Sequence, residues 1–215
     1  MNTPFSRQPR FEGFCPVAEA VERLANEASL EERGAIYTKR EVVDFILDLV
    51  EYETDKPLTS YRILEPSFGD GDFIHPIVDR LLAAAQREVG GLTVERLKPT
   101  LRAVELHRAT FDRHRSSIAS KLQDCGFSPT EAEELVSAWL VQGDFLLHNF
   151  DQDFTHVVGN PPYIRQEIIP NILMAEYRQR YKTIFDRADI YIPFIEKSLD
   201  ALEQGGRLSF ICADR

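Results

Sequence analysis

Cysteine is scarce in this sequence. Cys15, Cys125 and Cys212 are widely spaced and form no CxxC pair, so neither a disulfide framework nor a metal site is expected, and the pattern fits a reducing, cytoplasmic setting. Long apolar runs are missing too. No uninterrupted stretch approaches the ~18 residues that cross a bilayer, and the opening MNTPFSRQPRFEGF has no apolar core with a cleavage site. No membrane partner is expected. Positive charge is in deficit: 25 Lys and Arg stand against 35 Asp and Glu, a net −10 at pH 7. That balance opposes a chain that wraps nucleic acid by bulk electrostatics. What remains is ordinary globular material, 215 residues of which 43% are hydrophobic and 28% charged. Such a chain buries enough to offset its ordering entropy, which excludes wholesale disorder, and its length suits one sizeable core.

Hydrophobic spacing divides the chain into alternating helices and strands. Residues 16–32 are rich in Ala and Glu and read as an amphipathic lead-in helix. Val42, Val43, Ile46, Leu49 and Val50 recur at helical spacing, and Thr38 with Glu41 has the form of a capping box, which predicts a helix from Lys39. RILEPS is a short strand entering the turn FGDGD, and Ile74 to Ala85 mark a helix. Gly90-Gly91 and Pro99 bound a connection to the strand LRAVEL, which a helix carrying Phe111, Ile118 and Leu122 follows. SPTE, Ser128 to Glu131, is a second capping box with proline at the first helical position. Trp139 to Val141 and FTHVVG are further strands; helices over about 171–182 and over DIYIPFIEKSLDALEQGG follow, the latter stopped by Gly205-Gly206. RLSFICA is a last strand. The alternation predicts an α/β fold with a mainly parallel sheet covered on both faces. Ligands of such sheets bind beyond the carboxyl ends of the strands, where strand order reverses.

Four strand ends carry unusual residues. In EPSFGDGDF, Gly69 and Gly71 let the chain turn tightly and approach a ligand, although a plain strand-to-helix turn needs the same residues. Ile74 stands where a dinucleotide fingerprint has its third glycine, and no Walker lysine follows, so NAD and ATP fit poorly. Glu65 beside that turn would repel a pyrophosphate and suit a cationic or amino-bearing ligand. Glu105 ends LRAVEL, where an acid either accepts ribose hydroxyls or faces solvent. In QGDF, Asp144 and Phe145 suit an exocyclic amino group and a purine face, or form a capped turn over a buried ring. GNPPYI is the most specific stretch. Pro161 and Pro162 stiffen the backbone and remove amide donors, leaving carbonyl acceptors beside Asn160 and the flat ring of Tyr163. Acceptors next to a stacking platform suit an amino group on a planar base.

With GAIYT, EPSFGDG, VEL, GDF, NPPYI, DIYIPFIEKSL and GGRLSFICADR in this order, residues 30–215 resemble the NPPY-type S-adenosylmethionine-dependent N6-adenine DNA methyltransferases, as in the methyltransferase part of type IIG restriction–modification enzymes. The resemblance implies a Rossmann-like class I methyltransferase sheet with S-adenosyl-L-methionine as cofactor. It implies that Ile36, Tyr37 and Thr38 contact the methionine part, with Glu65 and Ser67 beside its amino and carboxylate groups and Gly69 and Gly71 shaping the turn. Glu105 would hold the ribose, Leu106 would pack on the adenine ring, and Asp144 with Phe145 would bind its amino group and face. Asn160 and the Pro161 carbonyl would accept the hydrogens of the target N6, Pro162 would stiffen the loop, and Tyr163 would stack on the flipped base. Phe68 and His107 depart from the common pattern without removing a named role.

Sheets of that family have seven strands and this sequence supplies about five. The expected organisation is a helical lead-in over 1–33 and an incomplete cofactor-binding domain over 34–215, with double-stranded DNA read mainly by a C-terminal domain beyond this sequence. An exposed last strand implies self-association. Arg165, Arg178, Arg180 and Lys182 lie beyond the NPPY loop and either touch phosphate or form a solvated face. Competing readings are a methyltransferase acting on protein glutamine or an RNA base, a non-catalytic cofactor-binding fragment and, more remotely, a nicotinamide dehydrogenase.

Overall fold

The structure, a computed structural model, describes residues 15–26, 37–164, 166–185 and 189–212. Two helices, α1 (Pro16–Asn26) and α2 (Arg40–Leu49), precede strand β1 (Ile63–Glu65). Helices α3 (Ile74–Arg87) and α4 (Val94–Leu97) lead to β2 (Leu101–Glu105), and α5 (Arg108–Asp124) and α6 (Pro129–Trp139) lead to β3 (Leu140–Gln142). Then come β4 (Phe154–Gly159), α7 (Asn171–Arg180), α8 (Tyr191–Asp200) and β5 (Leu202–Phe210). The sheet order is β3-β2-β1-β4-β5 and every pairing is parallel. This is the expected α/β sheet, and its order reverses between β1 and β4. None of the helices described is long and apolar enough to cross a membrane.

Side chains alternate across the sheet with period two, and both faces are buried. Ile63, Ala103 and Val158 face a cluster with Val43 and Leu47 of α2, Ile77 and Leu81 of α3, and Leu135 of α6. Their neighbours Leu64, Val104 and Val157 face Ala20 of α1, Leu173 and Tyr177 of α7, and Phe194 of α8. The double-sided burial explains why the strands read as continuous apolar runs.

Three expectations about element ends change. Thr38 does not cap α2: Lys39 holds the cap position without a side-chain bond. Thr38 is engaged elsewhere, its amide donating to Asp72 Oδ2 at 2.6 Å and its hydroxyl accepting from Asn160 Nδ2 at 3.1 Å. Trp139 ends α6 rather than opening β3, because its buried indole N–H donates to the Leu97 carbonyl at 2.9 Å. The last helix stops at Asp200, and Gly205-Gly206 lie inside β5. Between the pairs Phe154↔Leu202 and His156↔Arg207, β5 advances further than β4, so the glycines occupy a bulge. A Cβ on Gly206 would stand 2.8 Å from Leu202 and 3.1 Å from the Phe154 carbonyl oxygen. By contrast, the SPTE box forms as expected, with the Glu131 amide on Ser128 Oγ and the Ser128 amide on the Glu131 carboxylate.

Gly71 sits against His75 of α3 and His114 of α5. Its φ is +89°, and an added Cβ would lie 2.5 Å from His114 and 2.8 Å from His75, whose rings are joined by a 2.9 Å N···N contact. Gly69, at φ +47°, has open space in the Cβ direction. Both Gly→Ala changes meet the left-handed backbone penalty of about 1 kcal/mol, and only Gly71→Ala adds a buried clash. Denaturant titration should therefore show Gly71→Ala losing about 2 kcal/mol or more and Gly69→Ala clearly less; equal losses would contradict this packing.

His156 is buried beneath α2, with Nε2 3.1 Å from the Val50 carbonyl and Nδ1 2.7 Å from Thr155 Oγ1. Burial lowers its pKa from 6.5 to about 4, outweighing the bond to Val50. The unfolded chain thus takes up a proton that the folded chain refuses as pH falls from 6.5 towards 4, and stability drops across that window. His114 adds the same sign and Glu65 the opposite one, and both persist in a His156→Gln chain. Unfolding at several pH values should show the variant losing less stability on acidification than the parent chain, whereas parallel curves would remove His156 from the account.

Candidate active site

The carboxyl ends of β1 to β4 open into a cavity of about 1100 Å³, counting the space that reaches solvent. It sits at the reversal of strand order, where a doubly wound sheet offers a crevice. Thr38, Glu65, Ser67, Gly69, Glu105, Leu106, Asp144, Phe145, Asn160 and Pro162 all line it. Among the singled-out residues, Gly71 does not line it, its Cβ side being filled by the two histidines. Tyr37 is 73% exposed and outside the lining, Pro161 is buried beside it, and Tyr163 flanks it. Ile36 and Arg165 lie outside the described residues.

Glu65 is the least accommodated group. It ends β1 at 1% exposure, and its Oε2 has no hydrogen-bond partner among the described residues. Burial, then the nearby charges of Glu105 and Asp72, push its pKa well above the ordinary carboxylate value. A buried, unsatisfied carboxyl is costly unless a donor or cation arrives. Glu105 is better served. Its Oε2 accepts from the Gly69 amide at 2.8 Å and its Oε1 from the His107 amide at 2.7 Å. Those two bonds fix the carboxylate plane between the turns that follow β1 and β2. Asp72, a residue the sequence does not mark out, accepts the Thr38 amide and carries a pKa raised mainly by burial. No Lys or Arg lines the cavity among the described residues.

The turn after β3 presents Asp144 and Phe145. Asp144 Oδ1 accepts from the Leu146 amide at 2.8 Å and Oδ2 accepts from the Tyr177 hydroxyl. Phe145 packs 4.8 Å from Phe194, centroid to centroid, beneath the cavity. After β4, Asn160 donates its amide hydrogens towards Thr38, which leaves its side-chain oxygen as the acceptor end. Tyr163 donates to the Ile211 carbonyl at 2.7 Å and its ring lies 6.0 Å from that of Tyr191. The lead-in helix also contributes: Leu24 of α1 lines the cavity, and Arg108 ties α1 to α5 through Glu22 at 3.0 Å. Only the amphipathic pattern of residues 16–32 hints at that role; Asp72 and Tyr177 leave no local signal.

A family model described as Eco57I restriction-modification methylase matches residues 81–215. The Type II methyltransferase M.PaeR7I of Pseudomonas aeruginosa is 54% identical over 211 residues, covering 98% of this chain and 37% of that protein. M.XhoI of Xanthomonas vasicola is 49% identical over 187 residues, covering 86% of this chain and 34% of its own length. The chain thus spans about a third of the length of these curated relatives. Among solved structures, a putative class I S-adenosylmethionine-dependent methyltransferase from Listeria monocytogenes shares the fold. It aligns with a TM-score of 0.53 at 14% identity, over 90% of this chain and 50% of that one. A DrdV–DNA complex aligns with a TM-score of 0.52 at 18% identity, over 84% of this chain and 20% of that one. With the cavity at the strand-order reversal and the family match over the greater part of its length, this chain belongs to the Eco57I restriction-modification methylase family.

Proposed function

We propose that the cavity binds S-adenosyl-L-methionine and that the chain is the catalytic core of a site-specific adenine-N6 DNA methyltransferase within a restriction–modification system. The observation that carries this reading is the cluster of Glu65, Glu105 and Asp72 in a cavity whose lining, among the described residues, holds no Lys or Arg. A pyrophosphate finds repulsion there, and a ligand bearing an ammonium group and a sulfonium finds partners. Glu65 suits the ammonium group, Glu105 the ribose hydroxyls, and Asp144 with Phe145 the adenine. The names of the relatives, Type II methyltransferases, support a DNA substrate. Duplex recognition is assigned to the two thirds of those relatives that this chain does not span, which accommodates its acidic balance. Residues 34–215 form the cofactor-binding domain on this reading, with 1–33 as its lead-in.

The cofactor supplies an electrophilic methyl group on sulfur, and this chain supplies orientation. An adenine N6 is a poor nucleophile because its lone pair is delocalised into the ring. Asn160 Oδ1 and the Pro161 carbonyl accept its two hydrogens and favour a pyramidal nitrogen whose lone pair faces the methyl. Thr38 holds the Asn160 amide and is itself held by Asp72, so the acceptor is set before the base arrives. Positive charge developing on N6 meets the same carbonyl dipoles, which need no reorganisation. Tyr163 offers a face on which the extruded base stacks.

Calorimetric titration of the chain with S-adenosyl-L-methionine should show binding, weakened tenfold or more by Glu105→Ala as charge-assisted bonds of about 1.5–3 kcal/mol are lost. Glu65, its pKa raised well above the ordinary carboxylate value, must give up a proton to meet an ammonium group, so affinity should rise as pH climbs past the ordinary carboxylate range, and Glu65→Gln should flatten that rise. A folded chain that binds NAD and not S-adenosyl-L-methionine would overturn the reading. In a protein of the relatives' full length, Asn160→Ala should abolish methyl transfer to DNA; transfer only to protein or RNA would replace DNA with one of those substrates.

A further inference from the structure

The turn that follows β3 is held from outside by two helices. Tyr177 of α7 donates its hydroxyl to Asp144 Oδ2, and Tyr181 one helical turn later donates to the Leu146 carbonyl. Lys197 of α8 donates to the carbonyls of Phe145 and His148 and stands 4.9 Å from the centre of the Phe145 ring. Of these three clamping side chains, only Tyr177 both lines the cavity and touches the Asp144 carboxylate. Burial and the adjacent carboxylate push the Tyr177 pKa well above that of a free phenol, so its hydroxyl stays a donor.

The remaining capacity of Asp144 follows by counting. The carboxylate accepts from the Leu146 amide on Oδ1, from Tyr177 on Oδ2 and from the Leu147 amide, which fixes its plane and leaves one of its four acceptor positions for a ligand. A 6-amino purine offers N–H donors to such an acceptor. A 6-oxo purine presents a carbonyl oxygen there, and two acceptors facing each other in a buried site are strongly disfavoured.

We propose that Tyr177 is a specificity-determining positioning residue: by orienting Asp144 it makes the cavity accept the 6-amino purine of the cofactor and reject the 6-oxo analogue. The proposal rests on the cofactor reading above. It explains why a tyrosine from a helix beyond the Asn-Pro-Pro segment is buried against a strand-end acid. Without Tyr177, Oδ2 loses its donor and the carboxylate is held only by the backbone amides of its own turn, which loosens its terminal torsion.

The test compares S-adenosylhomocysteine with its deaminated counterpart, S-inosylhomocysteine, by calorimetry on the chain. The parent chain should prefer the 6-amino ligand by about a hundredfold or more, the scale set by a site that leaves a buried polar group unmatched. Tyr177→Phe should cut that ratio about tenfold, with a retained cooperative thermal transition showing that the fold survives. Tyr181→Phe leaves the partners of Asp144 in place and should weaken both ligands alike, as a merely structural role would. An unchanged ratio in Tyr177→Phe overturns the proposal. So does an Asp144→Ala chain that keeps the preference, since it has no side-chain acceptor for Tyr177 to orient, and that variant decides the matter should Tyr177→Phe fail to fold. Equal affinity of the parent chain for the two ligands removes the role of this pair and leaves the cofactor reading standing; binding of neither removes both.

Discussion

β1 is only three residues long, yet it pairs with β2 on one side and β4 on the other. That double pairing forces the chains leaving β1 and β4 to diverge, one into the Gly69–Gly71 turn and the other into Asn160-Pro161-Pro162. The crevice between them is the geometric consequence, and Thr38, Glu65, Gly69, Glu105, Asp144 and Asn160 all line it. Glu65 is at the floor because it is the last residue of that strand. Packing does not account for its burial, because an apolar side chain there would satisfy the core better. A carboxyl oxygen left without a partner among the described residues, at the centre of the sheet, is a cost that packing alone does not offset.

The sheet is legible in the sequence because its signals are local. Glu65, Glu105, Asp144 and Asn160, at or just beyond the strand ends, all reach the cavity, because that is where the carboxyl edge of the sheet opens. Ser128 and Glu131 form their box because nothing competes for either side chain. Thr38 and Glu41 have the same spacing and do not, because Thr38 is drawn to Asp72 and Asn160, 34 and 122 residues away. Gly205-Gly206 resemble a helix stop and instead permit a bulge against β4. Sequence spacing ranks a local partner above a distant one, and at a ligand site the distant one wins.

Gly69 and Gly71 show the same distinction at closer range. Both have positive φ and both belong to one turn, so the sequence offers no means of separating them. The structure divides their duties: Gly69 borders open cavity and gives its amide to Glu105, while Gly71 makes room for the His75–His114 pair between α3 and α5. One glycine shapes the site and the other lets the helices close behind it. The same Glu105 carboxylate therefore depends on a turn that is itself held by helix packing.

The two ends of the crevice are also joined along the chain. α7 and α8 lie between β4 and β5, so the segment leaving the Asn-Pro-Pro turn must cross the sheet before the chain re-enters it. In crossing, it places Tyr177, Tyr181 and Lys197 over the turn after β3, which two intervening strands separate from β4 in the sheet. The buried phenol and ammonium satisfy carbonyls and a carboxylate that the short strand β3 leaves open. Asp144 is thus held by this connection, whereas Asn160, where the connection begins, is held by Thr38 from the segment that enters α2. The two sides of the cavity are therefore anchored separately, the turn after β3 by α7 and α8 and the turn after β4 by the residue that precedes α2, so a change in either anchor leaves the other in place.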